Sequence, residues 1–460
     1  MAYQDTVQSR VRQAVTSSKA ANLANALIID ANASFQERII NFSSMTEVNA
    51  HVGIAKDSPL YSGLAHAFSQ PNGKTPIYVG RREVDNITLT PTVANNTTYT
   101  FRVVSWATDT NTESGRWEVT FTSGTDATVE EITTGLQLAI TDLSIPVEDL
   151  SSVDNNTSIT LTPAASRNLI LEEVEGLVQS FTVTESAADC YSAITDVDNE
   201  SFYGVTTTQR DVDFVIDLAR QIAATNTGNH PKLFRVSDNA LSSLAAQTDP
   251  SANDDLIGRL EDLELVRVST EWHDQSDTLF PELATFVYQG GFFPGTQSFK
   301  FMGNNTTPAA RHPVLGRKLN TSEVGFILDR NSSVTFQERG NTFYHGGSLS
   351  TSSTDWIDNQ IITDWINDTS EVRVLDALLN KANGGLPLTF VQSDLNIIKE
   401  RVESVLFEAV DRKMLSGFLP VSIPSNISFT DQANRILNDV TWEGWFAGKI
   451  HFVNIGGVLT

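Results

Sequence analysis

Between residues 202 and 288 the chain alternates strand-like and helix-like segments, and this alternation restricts the fold more than any other feature. Residues 202–205 (FYGV) read as a short buried strand. Thr208 and Asp211 follow with the spacing of a capping box, and Val212, Val215, Ala219 and Ile222 form a helical stripe. A strand is then expected over 231–236 (PKLFRV), a helix over 254–263, a strand over 264–269 (ELVRVS) and a helix over 279–288. Parallel strands need crossovers, and those crossovers are right-handed, so repeated strand–helix–strand units imply a parallel sheet.

The stretch from Asn341 to Leu386 looks central to the remainder. A polar strand ends at Gly346-Gly347, and Ser352 with Asp355 has capping-box spacing. Trp356, Ile357, Ile361, Ile362, Trp365 and Ile366 open a broad apolar stripe, which Val372, Leu375 and Leu379 extend. Lys381, Gly384, Gly385 and Pro387 supply a helix stop. This predicts a long packing helix in which Trp356, Ile361, Trp365 and Leu375 are inward. A second helix is expected over 393–415, with Leu395, Ile398, Val402, Val405 and Ala409 on one face and a Glu408–Arg412 pair outside.

Before the alternating region lie a strand over 25–30 (NALIID), two helices within 46–69 and a strand over 76–80 (PIYVG). The composition then shifts to Thr, Ser, Asn and Val. Residues 87–90, 98–105 and 117–122 alternate as half-buried strands, with turns at Asn95-Asn96 and Ser123-Gly124. A helix over 128–143 and strands over 158–163 and 177–184 complete a β-rich α+β module, which we read as an insertion. At the N-terminus, Val7, Val11 and Val15 step by four, which fits a helix stripe and one face of a strand equally. Near the other end, Ile450 and Phe452 alternate with Val453 and Ile455, as in a strand apolar on both faces that needs a sheet to join.

Composition narrows the function. The 460 residues carry 31 Lys+Arg against 56 Asp+Glu, a net charge of −25. That disfavours binding to nucleic-acid phosphates and to anionic membranes. One cysteine, Cys190, excludes an intrachain disulfide framework and a multi-cysteine zinc site. The first residues lack the apolar core of a signal peptide, and no apolar run approaches transmembrane length, so a product made and kept in a cytoplasm, or released from one without the secretory route, is expected. No P-loop, nucleophile elbow, zincin or dinucleotide motif is present. His345-Gly346-Gly347 reads as a turn. Asp196, Asp198 and Glu200 are spaced like part of a calcium loop, but Ser201 stands where its glycine should be. The run from Gly290 to Gly295 reads as a loop. No catalytic residue, cofactor or metal is therefore expected.

The order of features resembles the contractile tail sheath proteins of bacteriophages. MTEVNAHVGIAKDSPLYSGLAHAFSQ followed by PIYVGRR, then SFYGV, the central GNTFYHGGSLSTSSTDWIDNQIITDWI and the closing GWFAGKIHFVNIGGVLT carry the resemblance. It implies a multidomain α/β and α+β subunit. An N-terminal arm would span 1–20, and an inner domain would be built from 21–80 and 336–440. A peripheral insertion would span 81–187, an α/β middle domain 188–335 and a C-terminal strand or arm 441–460. By the same resemblance, Val11, Gln13 and Val15 would lie in one inter-subunit arm, and Ile450, Phe452, Val453 and Ile455 in the other. The implied partners are further copies of the chain, in stacked hexameric rings or a helical polymer, with the tail tube, baseplate and tail terminator proteins. The implied location is the virion tail, after assembly in the host cytoplasm. A different virion structural or receptor-binding protein, or an α/β enzyme with an unrecognised site, remains an alternative reading.

Overall fold

The computed structural model describes residues 22–32, 35–224, 230–247, 255–303 and 306–451. They form two compact units, 22–360 and 361–451, divided within one long helix.

The first unit begins with β1 (Ala26–Ala31), an almost wholly buried strand, as a central parallel position requires. A short β2 (Ile39–Phe42) follows. In α1 (Met45–Ala50) and α2 (Pro59–Phe68), the side chains of Ser44 and Ser58 cap the first turns, and Pro59 stands where a helix needs no N–H. Next comes β3 (Ile77–Arg82).

The chain then enters the Thr-rich module. Its elements are β4 (Asn86–Pro91), β5 (Thr98–Ala107), β6 (Thr112–Thr122), α3 (Val129–Asp142), β7 (Leu150–Asp154), β8 (Ile159–Pro163), β9 (Arg167–Glu175) and β10 (Leu177–Thr182). They make two antiparallel sheets, ordered β10-β4-β8-β7 and β6-β5-β9. Tyr99, Phe101, Val119, Ile132, Leu136, Ile159 and Leu171 share one core. Strands β7 and β9 have no clear period-two signature. In β9, Leu169, Ile170 and Leu171 are all buried, and its pairing with β5 shifts register between Thr100 and Arg102.

After α4 (Ala187–Val197) the alternating region yields β11 (Gly204–Thr207), α5 (Val212–Ala224), β12 (Leu233–Asp238), α6 (Leu256–Asp262) and β13 (Val268–Trp272). It continues through α7 (Ser276–Leu279), α8 (Pro281–Gly290), α9 (Thr321–Leu328), β14 (Ser332–Glu338) and β15 (Asn341–His345). The expected parallel sheet is present, ordered β15-β14-β13-β12-β11-β1-β3-β2, with antiparallel pairing only at its two edges. Leu27 and Ile29 face a core shared with α4, α5 and α6. Ile28 faces the other side, where it and Phe280 crowd Gly63 of α2.

Several expectations need correction. Segments 21–80 and 188–335 are not separate bodies, because β1 pairs with both β3 and β11 in one sheet. The segment 336–345 joins that sheet as well. The strand read at 202–205 starts two residues later, at Gly204. Asp211, not Thr208, caps α5, accepting from the Phe214 amide at 2.9 Å, while the Thr208 hydroxyl donates to Asp30. The helix read at 279–288 is broken at Phe280, whose backbone is left-handed (φ 48°), before Pro281 starts α8.

The central helix also starts later than its spacing suggests. Residues Ser348–Leu349 (β16) and Ser352–Trp356 (β17) form a small antiparallel ladder, so Ser352 is in a strand and caps nothing. The helix, α10, runs from Ile357 to Asn383. Trp356 therefore precedes it. Ile357, Ile361, Ile362, Trp365 and Ile366 are buried, whereas Leu375 is 42 % exposed. Beyond Ile366 the helix is too rich in charged and polar residues to sustain the stripe.

The second unit contains the end of α10, then α11 (Gln392–Asp411), β18 (Leu415–Phe418), α12 (Phe429–Asn434) and β19 (Gly444–Phe446). Leu395, Val402, Val405 and Ala409 are buried on α11, as their spacing requires.

Candidate assembly surfaces

Contact with a further chain needs unpaired backbone or unburied apolar surface, and the two units differ in the second. Thirteen of the 26 large apolar side chains exposed among the described residues lie between 361 and 451, so this short unit holds far more than its share. Five exposed aromatics belong to it: Phe407, Phe429, Trp442, Trp445 and Phe446. Aromatic side chains are enriched at interaction surfaces.

Strands β18 and β19 form an isolated two-stranded antiparallel sheet, with Leu415 opposite Phe446 and Gly417 opposite Trp445. The Leu419 amide donates to the Glu443 carbonyl at 2.8 Å, and the Ala447 amide to the Met414 carbonyl at 2.9 Å, which extends the ladder at both ends. Two strands alone are marginal in water, so this ladder depends on its packing. Phe407 of α11 meets Phe418 edge-on, with ring centroids 4.9 Å apart. Beside them lies a cavity of about 410 Å³ lined by Glu403, Phe407, Val410, Gly417, Phe418 and Pro420. A short open sheet next to an apolar groove can accept a further strand: backbone groups supply affinity, and the groove takes alternate side chains.

Helices α10 and α11 are joined within this unit by a charge cluster. Arg373 donates to the Glu408 carboxylate and, at 2.9 Å, to the Ser404 hydroxyl. Arg412 reaches the same carboxylate at 2.9 Å. Burial alone would raise the Glu408 carboxyl, but the two guanidinium groups outweigh it and hold it below its ordinary range. The Glu408–Arg412 pair read from spacing is thus one half of a bridge between helices.

The edges of the large sheet in the first unit are less open. Beside β15, the Phe301 amide donates to the Tyr344 carbonyl at 2.9 Å, and the Tyr344 amide to the Met302 carbonyl at 3.1 Å. The opposite edge, β2, is only four residues long. Covered and very short edges resist strand addition.

Of the arm residues, Ile450 is 78 % exposed and in no strand. Val11, Gln13, Val15, Phe452, Val453 and Ile455 lie outside the described residues. Among the described residues, no cluster of three or more His, Cys, Asp or Glu is arranged to hold a metal ion. Asp198 instead accepts from the Glu200 and Ser201 amides, each at 3.0 Å, and closes a turn. No described helix is long and apolar enough to cross a membrane.

No protein-family model matches the chain, and no curated protein matches it at a significant level. Solved structures do. The helical sheath of the anti-feeding prophage in its contracted state matches with a TM-score of 0.53 at 8 % identity, over 100 % of both chains. A chain of the anti-feeding prophage baseplate matches with a TM-score of 0.50 at 10 % identity, again over 100 % of both. A sheath tail protein of Listeria innocua matches with a TM-score of 0.48 at 12 % identity, over 89 % of this chain and 90 % of that one. The chain shares its fold with the chain of the anti-feeding prophage helical sheath.

Proposed function

We propose that this chain is the structural subunit of a contractile tail sheath, polymerising around a tail tube and driving it through a host envelope by rearrangement. The observation that carries this reading is the full-length likeness of the fold to a helical sheath protein. The open β18–β19 ladder beside its apolar groove supports it, being a site where a neighbour's strand could add.

In this mechanism an N-terminal arm around 10–16 and a C-terminal strand around 449–455 are donated to neighbouring subunits. A donated strand of about five residues forms about four backbone hydrogen bonds, at roughly 0.5–1.5 kcal/mol net each. A few such bonds per arm, repeated along a polymer, hold the subunits together while their bodies turn. Donor and acceptor surfaces differ, so the contact is heterologous and builds stacked hexameric rings or an open helix. Contraction needs no nucleotide. The extended sheath is a kinetically trapped state, and release lets the subunits repack at lower free energy. The tail tube protein is the template inside, the baseplate and tail terminator proteins cap the ends, and the product belongs to the virion tail.

Deletion of residues 1–20 tests the arm assignment. The truncated subunit should keep its far-ultraviolet circular dichroism and its thermal midpoint but form no tubes. Full-length tubes from the truncated chain would overturn it.

A further inference from the structure

The parallel strands of the large sheet follow the order β3-β1-β11-β12-β13-β14. From β1 the chain crosses to β3, and from β11 it crosses in the opposite direction to β12. Right-handed crossovers in opposite directions put α2 on one face and α5 on the other, so neither helix covers the carboxyl ends of β1 and β11. Open α/β sheets bind ligands at such a switch point.

A cavity of about 560 Å³ occupies this place. Its floor is Asp30 and Asn32 from the end of β1 and Thr208 from the end of β11. Asp30 is 6 % exposed, and its carboxylate accepts from the Thr208 hydroxyl and, at 3.0 Å, from the Asn32 amide. The inserted module supplies the opposite wall, including Leu177, Gln179 and Phe181. The volume is that of a small-molecule site. Its described lining contains Asp30 and Asp57 but no Lys, Arg or His, so a phosphate, sulfate or carboxylate ligand would meet two carboxyl groups and no cationic side chain, and at the start of α2, which also lines the cavity, the Ser58 side chain already caps the first turn. The Asp30 carboxylate and the Asn32 and Gln179 amides alternate around the lining with apolar side chains such as Leu177 and Phe181, a mixture that suits a molecule with hydroxyl edges and C–H faces.

We propose that this crevice binds a neutral polyhydroxylated ligand, a mono- or disaccharide, with its hydroxyls on Asp30, Asn32 and Gln179 and its apolar face on Leu177 and Phe181. The inserted module then has a recognition role, because the site is incomplete without it. This inference stands apart from the sheath reading and holds or fails separately.

Saturation-transfer NMR on the full chain, with glucose, galactose, N-acetylglucosamine, maltose and lactose as probes, tests it. At least one sugar should bind saturably, with a Kd of about a millimolar. Gln179→Trp fills the cavity from a partly exposed position and should abolish that binding with the thermal midpoint unchanged. Asp30→Asn should weaken it about tenfold, as loss of a charged hydrogen-bond acceptor does. Saturable binding of none of these sugars, binding unchanged in Gln179→Trp, or displacement of the sugar by inorganic phosphate would each overturn the assignment.

Discussion

Asp30 shows what single residues contribute that no local pattern announces. In the sequence it ends an apolar strand and could be any solvated carboxylate. In the structure, burial pushes its carboxyl up to about 6, against the lowering effect of hydrogen bonds from Thr208 and Asn32. The reference value is 3.8, so the fold favours the protonated form. The associated stability is fully present below the unfolded pKa and is lost as pH rises through the folded one. Asp30→Asn removes that dependence. Relative to wild type, its unfolding free energy should increase by on the order of 2 kcal/mol between about pH 4 and about pH 7. A pH-independent difference, measured by denaturant midpoints, would contradict this. Gly290 and Gly291 read as loop residues, but backbone proximity explains them better. A Cβ at Gly291 would lie 1.9 Å from the Asn72 carbonyl oxygen, and one at Gly290 2.2 Å from that of Ala24. Gly291→Ala should cost about 2–4 kcal/mol. Gly325, inside α9 with open space around it, is the control, and Gly325→Ala should stabilise by about 0.5–1 kcal/mol. Thermal midpoints that fall equally in both variants would show that the close backbone approach at Gly291 does not set its cost.

At the scale of elements, periodicity found what periodicity can carry. The stripe of Val215, Ala219 and Ile222 on α5 and that of Leu395, Val402 and Val405 on α11 are buried as read. Boundaries went astray where the competing structure is short and non-local. Ser352 and Asp355 have the spacing of a cap, yet pairing with β16 draws this segment into a strand. Likewise, nothing in the interval from Leu415 to Phe446 signals that its two ends pair, because β18 and β19 are too short to show a pattern. In the proposed assembly, that ladder is the element that accepts a neighbour's strand. Trp445 and Phe446 are 49 % and 44 % exposed. The double variant Trp445→Ser, Phe446→Ser should therefore change subunit stability by no more than about 1 kcal/mol. In sedimentation, the variant should stay at subunit size under conditions where the wild type polymerises. Polymers of normal length from the variant would remove β18–β19 from the interface.

For the whole molecule, the sequence makes the class of the large sheet plain but not its composition. A parallel sheet follows from the alternation after residue 202. That 21–80 supplies its other half does not, because β1 and β11 are neighbours separated by some 178 residues, as the bond from the Thr207 hydroxyl to the Ile29 carbonyl shows. Pairing across an insertion leaves no local mark. The net charge of −25 also acts at this scale. Copies repel one another, so the proposed polymer would have to draw on specific contacts and should form more easily as salt screens the repulsion. Negative-stain electron microscopy of the purified full-length chain, over a concentration series with and without the tail tube protein, decides whether the chain forms the proposed polymer. Hollow, striated tubes with a repeating helical lattice are the result expected of that polymer. Monodisperse particles at every concentration and salt, with the tube protein present as well as without it, would contradict it.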